Sequence, residues 1–326
     1  MCQVFNTYHW QPSWLFSLQL ATLQLIPMKL PFHAVSLADK ELIQAYTLCS
    51  PYQTCDFSFA NLYNWSTYYH THVAYYKNML LVRFISHEAN RPAYLMPVGD
   101  GPIAEVLHDM EQECNSNGAP LLLMGVPEAG VTLLKQTYPE SLHLLTSRDY
   151  ADYIYLRESL VSLSGKKLQP KRNFVNRFRA AYPNYSYEHI TNANVEECIA
   201  VEAQWYASSE RTNDLVAERT MVLKALQQRD SIGMMGGCIR ANGRIVAFSM
   251  GMPINKDTFG VNIEKADANI PGAFAIINQE FARHIPTQYT YVNREEDLGI
   301  EGLRKAKLAY RPHILEQKYT VMLRNE

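Results

Sequence analysis

Apolar and polar residues follow two different periods along the chain, and stretches of the two kinds alternate. Residues 37–48 have apolar positions spaced as on one face of a helix. Residues 72–76 and 79–85 have the shorter, extended pattern, and the Lys77-Asn78 pair between them is typical of a tight turn. Such alternation of helices and strands indicates an α/β protein.

The same patterns predict most of the remaining elements. We predict helices at 101–114, 131–138, 195–206, 216–228, 272–284 and 300–310. We predict strands at 92–98, 120–126, 142–146, 152–156, 185–190, 234–241, 244–252, 258–263, 289–293 and 315–323. Asn242-Gly243 between two of these strands is the strongest hairpin signal in the chain.

The order of predicted elements repeats, although we see no sequence identity between the two halves. Each half has a strand, a helix pair, three meandering strands, and then a helix, a strand, a helix and a strand. We therefore predict an α/β (α+β) chain with two similar domains at 28–158 and 184–326, each a mixed, mostly antiparallel sheet flanked by helices. We expect residues 1–27 to be an extension upstream of the natural start; an extra strand or helix is the alternative.

Residues 159–183 connect the halves and are locally basic, because no acidic residue lies between Glu158 and Glu188. Phe174, Val175 and Phe178 form an apolar stripe, which predicts an amphipathic helix. This segment is a candidate for binding tRNA or another polyanion, and a solvated helix face is the alternative. The predicted polyanion-binding residues are Lys166, Lys167, Lys171, Arg172 and Arg177.

Composition limits the classes of function. The net charge of -2 excludes the global basic field of a dedicated nucleic-acid binder. The six cysteines form no CxxC pair and the histidines no ligand pattern, so we predict no metal site and reduced thiols, as in the cytoplasm. The apolar run 14–26 is too short and too interrupted to predict a transmembrane segment. Peripheral contact with a membrane stays open.

Two blocks of sequence resemble the C-terminal, cytosolic domain of phosphatidylglycerol lysyltransferases. They are residues 164–173 and residues 291–307, the latter followed by Tyr310 and Pro312. The resemblance is to stand-alone relatives and extends from Met28 almost to the end of the chain. It implies a tandem GNAT fold, similar to that of Fem-type transferases, which move amino acids from aminoacyl-tRNA to an amine. Since the sequence has no multi-helix membrane region, we expect a small-molecule or peptide acceptor.

The resemblance also implies a site in the second half. In the GNAT fold two neighbouring strands splay apart and the gap binds the acyl donor; here these strands are 258–263 and 289–293. Tyr310 ends a helix motif in which a tyrosine protonates the leaving group, and a tyrosine that merely caps the core is the alternative. Glu295, Glu296 and Asp297 follow the second strand as a candidate base or amine ligand; complementing a helix dipole is the alternative.

These considerations define the predicted site. The predicted catalytic residues are Glu296, Asp297 and Tyr310. The predicted substrate-binding residues are Asn262, Asn293, Arg294, Glu295, Arg304, Lys305 and Lys307.

The loop 265–273 bears on the donor. It lacks the glycine spacing of an acetyl-CoA loop and has Pro271 where a backbone N–H would face pyrophosphate. We therefore predict an acyl- or aminoacyltransferase with aminoacyl-tRNA ranked above acyl-CoA as donor, and we predict no other cofactor. The alternative is a non-catalytic ligand- or RNA-binding module on the same fold.

Overall fold

The computed structural model describes residues 29–139, 141–208 and 212–323, so the predicted extension 1–27 lies outside the described residues. The strands are β1 His33–Ala34, β2 His72–Tyr76, β3 Met79–Ser86, β4 Arg91–Tyr94, β5 Val98–Gly99, β6 Leu122–Pro127, β7 Leu142–Thr146, β8 Asp152–Leu156, β9 Ser186–His189, β10 Met235–Ala241, β11 Arg244–Pro253, β12 Thr258–Ala266, β13 Tyr291–Asn293, β14 Ile314–Glu316 and β15 Lys318–Leu323. The helices are α1 Lys40–Thr47, α2 Phe59–Asn64, α3 Ser66–Tyr69, α4 Ile103–Ser116, α5 Glu128–Thr137, α6 Arg157–Ser162, α7 Gln169–Ala181, α8 Val195–Ala207, α9 Asn213–Ile232, α10 Ala273–His284 and α11 Glu301–Leu308.

Two mixed sheets flanked by helices make up the fold, which confirms the predicted α/β class. The eight-stranded sheet has the order β1-β2-β3-β4-β6-β15-β7, with β5 paired to β3, and the seven-stranded sheet has the order β14-β8-β13-β12-β11-β10-β9. In the described residues the only parallel neighbours are β4 with β6 and β12 with β13. None of the described helices is long and apolar enough to cross a membrane.

The two halves exchange a strand. Strand β8 lies in the seven-stranded sheet between β13 and β14, although it precedes the basic segment. Strand β15 lies in the eight-stranded sheet between β6 and β7, although it ends the chain. The predicted strand 315–323 is divided at Gln317, because its first part pairs with β8 and its second part crosses to the other sheet. The bounds 28–158 and 184–326 stay a prediction, and each includes one strand of the other sheet.

Local sequence accounts for the elements of the second half. Asn242 and Gly243 have φ of 49° and 78°, the left-handed conformations that a two-residue hairpin turn requires between β10 and β11. Helix α9 begins at Thr212, whose hydroxyl accepts a hydrogen bond from the Leu215 backbone N–H at 3.1 Å. It ends at Gly233, with a φ of 82°.

One buried core reaches from the first half into the second. It includes Phe59 and Leu62 on α2 together with Met250 and Met252 on β11. The backbone N–H of Ala60 also lies 3.0 Å from the Met252 sulfur. Helix α2 is therefore held against the second sheet.

Strands β12 and β13 separate after three residue pairs. Their parallel register ends at Gly260 opposite Asn293, while β12 continues to Ala266. In the described residues, that stretch of β12 has no neighbouring strand on this side. This opening lies where the resemblance implied a splayed gap between these two strands.

Candidate active site

A cavity of about 580 Å³ lies in the gap between β12 and β13. Its walls come from β12, helix α9, the loop before α10 and the start of that helix, the residues after β13, helix α11 and the basic helix α7. Its polar lining consists of Lys171, Glu218, Asn262, Glu264, Arg294, Glu295, Lys307 and Tyr310. The volume is within the range of small-molecule pockets.

Glu295 presents a carboxyl group to the cavity. Its Oε1 accepts hydrogen bonds from the Nδ2 atoms of Asn61 at 2.9 Å and Asn262 at 3.1 Å. Burial, together with the neighbouring charge of Glu296, raises the pKa of Glu295 to about 8. Its backbone has a φ of 57° and is held by a 2.7 Å hydrogen bond from its N–H to the Asn293 side chain. A strained backbone of this kind is common at functional sites.

Strand β8 supports the loop that carries this group. The Arg294 N–H donates to the Tyr153 carbonyl at 2.9 Å, and the Tyr153 N–H donates to the Glu295 carbonyl at 3.2 Å. The strand received from the first half therefore fixes the position of both residues in the cavity wall.

Arg294 and Asn262 both line the cavity. The Nη2 atom of Arg294 donates to Oε1 of Glu264 at 2.8 Å, and the Arg294 guanidinium lies 4.9 Å from the ring centre of Tyr310. The Nη1 atom of Arg294 and the Oδ1 atom of Asn262 are buried and have no hydrogen-bond partner within the described chain. Unsatisfied buried donors and acceptors are costly, so both atoms are available to a ligand.

Tyr310 and Lys171 lie together at the edge of the cavity. The Lys171 ammonium is 4.3 Å from the ring centre of Tyr310. Burial raises the pKa of Tyr310, so its hydroxyl stays protonated at neutral pH. Burial and the nearby charge of Arg294 lower the pKa of Lys171.

Lys307 ties α11 to the loop that carries Arg294 and Glu295. Its Nζ donates to the backbone carbonyl of Arg294 at 2.6 Å and also to that of Glu296. Burial lowers its pKa.

The other two predicted acids face away from the cavity. Glu296 is paired with Lys318, and although burial opposes ionisation, this ammonium lowers the pKa of Glu296. Asp297 is fully buried and accepts from Arg304 Nη2 at 2.7 Å and from Tyr153 Oη at 2.5 Å. Burial opposes its ionisation too, yet these hydrogen bonds hold the pKa of Asp297 well below its usual range. The contacts of Glu296 and Asp297 therefore indicate a structural role for both acids.

Glu296 belongs to a partly buried cluster beside the cavity. Ligand atoms of Cys55, Asp56 and Glu296 lie within 4.8 Å of one another, a spacing that a metal ion could bridge. The Lys318 ammonium already supplies a cation there, at 2.9 Å from Asp56 and 3.2 Å from Asp152. The cluster is therefore an ion-pair network that joins the two sheets.

The remaining predicted residues lie outside the cavity lining. Asn293 is buried and binds Asp152 and the Gln53 carbonyl, Arg304 pairs with Asp149 and Asp297, and Lys305 is exposed. Among the predicted polyanion-binding residues, Lys171 lines the cavity, Lys166 and Lys167 line a smaller cavity of about 370 Å³, Arg172 donates to the Leu163 carbonyl, and Arg177 is exposed above the Phe174 ring.

Three polar residues of the site were missed in the sequence, and one of them, Glu218, lines the cavity from helix α9. Asn61 comes from α2 in the first half, more than two hundred positions before Glu295, and no local signal marks it. Glu264 was missed because the predicted strand stopped at residue 263, whereas β12 continues to Ala266. The longer strand carries Glu264 into the wall of the gap.

Several solved structures superpose on this fold. A conserved protein of unknown function from Bacteroides thetaiotaomicron superposes with a TM-score of 0.87 at 44% identity, covering 91% of this chain and 100% of that one. The C-terminal domain of a putative lysylphosphatidylglycerol synthetase from Agrobacterium fabrum superposes with a TM-score of 0.62 at 14% identity. The superposition covers 88% of this chain and 92% of that one. The structure of L-PGS from Bacillus licheniformis superposes with a TM-score of 0.57 at 16% identity. The superposition covers 82% of this chain and 86% of that one. The last two likenesses show the fold.

Sequence comparison extends these findings. An uncharacterised protein of Mycoplasmoides gallisepticum is 22% identical over 173 residues, which is 52% of this chain. The match covers 55% of that relative, so the chain spans about half the length of the curated relative it matches. A family model described as phosphatidylglycerol lysyltransferase, C-terminal, matches residues 50–322. The predicted resemblance is thereby confirmed, and the chain belongs to the phosphatidylglycerol lysyltransferase C-terminal family.

Proposed function

We propose that the chain is an aminoacyltransferase that works in the cavity between β12 and β13. It moves an aminoacyl group from an ester donor, aminoacyl-tRNA, to an amine or hydroxyl of a small-molecule or peptide acceptor. Family membership supports acyl or aminoacyl transfer. The observation that carries the proposal is the partly buried Glu295 carboxyl in the cavity wall, whose pKa is raised to about 8. Such a group is a base matched to neutral pH.

The transfer step needs one proton acceptor and one proton donor. The acceptor nitrogen or oxygen attacks the ester carbonyl carbon and gives its proton to the Glu295 carboxylate. A tetrahedral intermediate forms, and the bond between that carbon and the ribose oxygen then breaks. The ribose oxygen leaves with a proton from the Tyr310 hydroxyl, and the Glu295 proton returns to Tyr310 through solvent. Both side chains line the same cavity, which supports this division of roles.

Glu295 is a better candidate for the base than Glu296 or Asp297. The oxygens of Asp297 accept hydrogen bonds from Arg148, Arg304, Tyr153 and the Gly299 N–H. Glu296 is paired with Lys318. A carboxylate with a lowered pKa and fixed cationic partners is a weak base.

The loop before α10 supports a donor other than acyl-CoA. Gly272 has a φ of 90°, and a Cβ atom built there would lie 2.6 Å from the Phe174 carbonyl oxygen. Helix α7 therefore packs on the loop where a GNAT enzyme would hold the CoA pyrophosphate, and Pro271 lacks the N–H that would bind it. An aminoacyl ester could enter beside α7, whose basic residues suit tRNA.

A cytoplasmic location is part of the proposal. Cys49, Cys55, Cys114, Cys198 and Cys238 are free thiols, as expected in a reducing compartment.

The proposal is tested by a transfer assay. The protein is incubated with tRNA charged with radiolabelled alanine and with ethanolamine, free amino acids or phosphatidylglycerol vesicles, and acceptor-dependent release of label is measured. We expect Glu295→Gln, which keeps an oxygen for Asn61 and Asn262, to slow release about 10²- to 10⁴-fold. The matched control is Glu301→Gln, an exposed position at the start of α11 that should keep wild-type rates.

Two outcomes would contradict the proposal. Equal rates for Glu295→Gln and the wild type would remove Glu295 from the chemistry. Binding of charged tRNA without transfer to any acceptor would favour a non-catalytic RNA-binding module.

A further inference from the structure

Positive charge remains in the cavity after its ion pairs are counted. Three cations line it: Lys171, Arg294 and Lys307. Glu264 pairs with Arg294 at 2.8 Å, and Glu218 pairs with Lys265 at 2.7 Å, outside the lining. At neutral pH Glu295 is mostly protonated, because its pKa is raised to about 8. The lining therefore lacks carboxylates for two of its cations.

Lys171 is the clearest case. Within the described chain its ammonium makes no ion pair and no hydrogen bond. The ammonium lies over the Tyr310 ring, 4.3 Å from the ring centre. Arg294, whose charge acts on Lys171, has the buried and unpartnered Nη1 atom. Glu264 is shared between the two cations: it pairs with Arg294, its charge also acts on Lys171, and its second oxygen accepts from Asn278 Nδ2 at 3.1 Å.

We propose that Lys171 and Arg294 form an anion subsite beside Tyr310 that binds a phosphate group of the substrate. An anion placed there pairs with the free ammonium and accepts from the unpartnered guanidinium N–H. The subsite itself follows from these contacts alone. The identity of its ligand rests on the proposed function: it is the phosphate of the donor's terminal nucleotide, and the phosphates of acyl-CoA are the other source with the same chemistry.

A second cavity favours a polynucleotide. It lies on the N-terminal side of α7 and is lined by Lys166, Lys167, Arg311 and Gly165, with no acidic residue among its described lining residues. Arg311 directly follows Tyr310 in the chain, so consecutive residues line the two cavities. Successive cations along one strip match successive phosphates.

The first experiment does not depend on the donor. Binding of inorganic pyrophosphate is measured by calorimetry at low salt. We expect binding to wild type that weakens about tenfold or more in Lys171→Met, which keeps the apolar stem. Lys135→Met is the matched control, because it removes an exposed cation from α5 in the first half of the chain. Equal pyrophosphate affinity in wild type and Lys171→Met, or no binding to wild type, would overturn the subsite.

The second experiment identifies the ligand. The probes are 3′-(L-alanylamino)-3′-deoxyadenosine with and without a 5′-phosphate, and acetyl-CoA. We expect the 5′-phosphate to tighten binding about tenfold in wild type and in Lys135→Met but not in Lys171→Met. If pyrophosphate binding depends on Lys171 while only acetyl-CoA binds among these probes, the subsite stands and the proposed donor is wrong. If the 5′-phosphate gives the same gain in Lys171→Met, the subsite is wrong and the donor stands.

Discussion

The ammonium of Lys318 lies 3.2 Å from Oδ1 of Asp152, and this ion pair joins the two strands that the halves of the chain exchange. Lys318 begins β15 in the eight-stranded sheet, and Asp152 begins β8 in the seven-stranded sheet. The same ammonium pairs with Glu296, the residue after Glu295. The contact between the sheets therefore also fixes the loop that forms one wall of the cavity.

Removing this cation should destabilise the whole protein. Lys318→Met leaves Asp152 fully buried without a charged partner and Glu296 without its counter-ion. Breaking a buried ion pair from one side costs about 3–5 kcal/mol. We expect a loss of this size in the free energy of unfolding, measured with urea. Lys305→Met, at an exposed position, is the control; similar stabilities for the two variants would show that the network contributes little.

Gly272 should not tolerate a side chain. Its φ of 90° disfavours an L-residue, and a Cβ would meet the Phe174 carbonyl at 2.6 Å. We expect Gly272→Ala to destabilise the protein by roughly 1–3 kcal/mol and to weaken donor binding by displacing α7. Gly302→Ala is the matched control, because Gly302 lies in α11 with no atom within 4 Å of a built Cβ. It should be neutral or stabilising by up to about 1 kcal/mol, and equal losses in both variants would argue against the contact.

Glu295 should give stability a particular pH dependence. Its pKa rises from 4.5 in the unfolded chain to about 8 in the folded protein. Between these pH values the folded state binds the proton more tightly, so the contribution of Glu295 to stability declines as pH rises through this window. We expect the stability of Glu295→Gln relative to wild type to increase from pH 4.5 to pH 8, measured by urea unfolding at each pH. A difference that stays constant across this range would show that the carboxyl is not perturbed.

The charge of the cavity should select against cationic donors. Glu264 and Glu218 are occupied by Arg294 and Lys265, so no free carboxylate remains in the described lining for a lysyl side chain once Glu295 acts as base. We expect kcat/KM for alanyl-tRNA to exceed that for lysyl-tRNA about tenfold or more. Lys171→Glu should shift this ratio towards the lysyl donor. A preference of the wild type for lysyl-tRNA would contradict this view of the cavity.

The sequence predicted the elements better than their partners. Period, caps and turn residues are local, so β7 and β8 were predicted with the bounds that the structure has, and the hairpin at Asn242-Gly243 was placed correctly. The exchange of strands depends on contacts between residues far apart in the chain. The run of buried residues in β8 is the same in whichever sheet the strand joins, so it does not predict the sheet.

The residues of the candidate site were predicted better than their orientations. The resemblance indicated the block from Arg294 to Tyr310, and the splayed strands brought Asn262, Arg294, Glu295 and Tyr310 together. Which acid faces the cavity depends on the φ of Glu295 and on Lys318, which reaches Glu296 from the far end of the chain. Neither feature leaves a signal in the residues around Glu295.

The pH dependence of transfer in wild type and Glu295→Gln tests the central claim most directly. Single-turnover release of alanine from charged tRNA is measured between pH 5.5 and 9.5 with saturating acceptor. Because the base must be ionised, we expect the wild-type rate to rise about tenfold per pH unit and to level off above pH 8, following the Glu295 pKa of about 8. Glu295→Gln should be slow and lack this rise, whereas a rise of the same shape in Glu295→Gln would show that another group is the base.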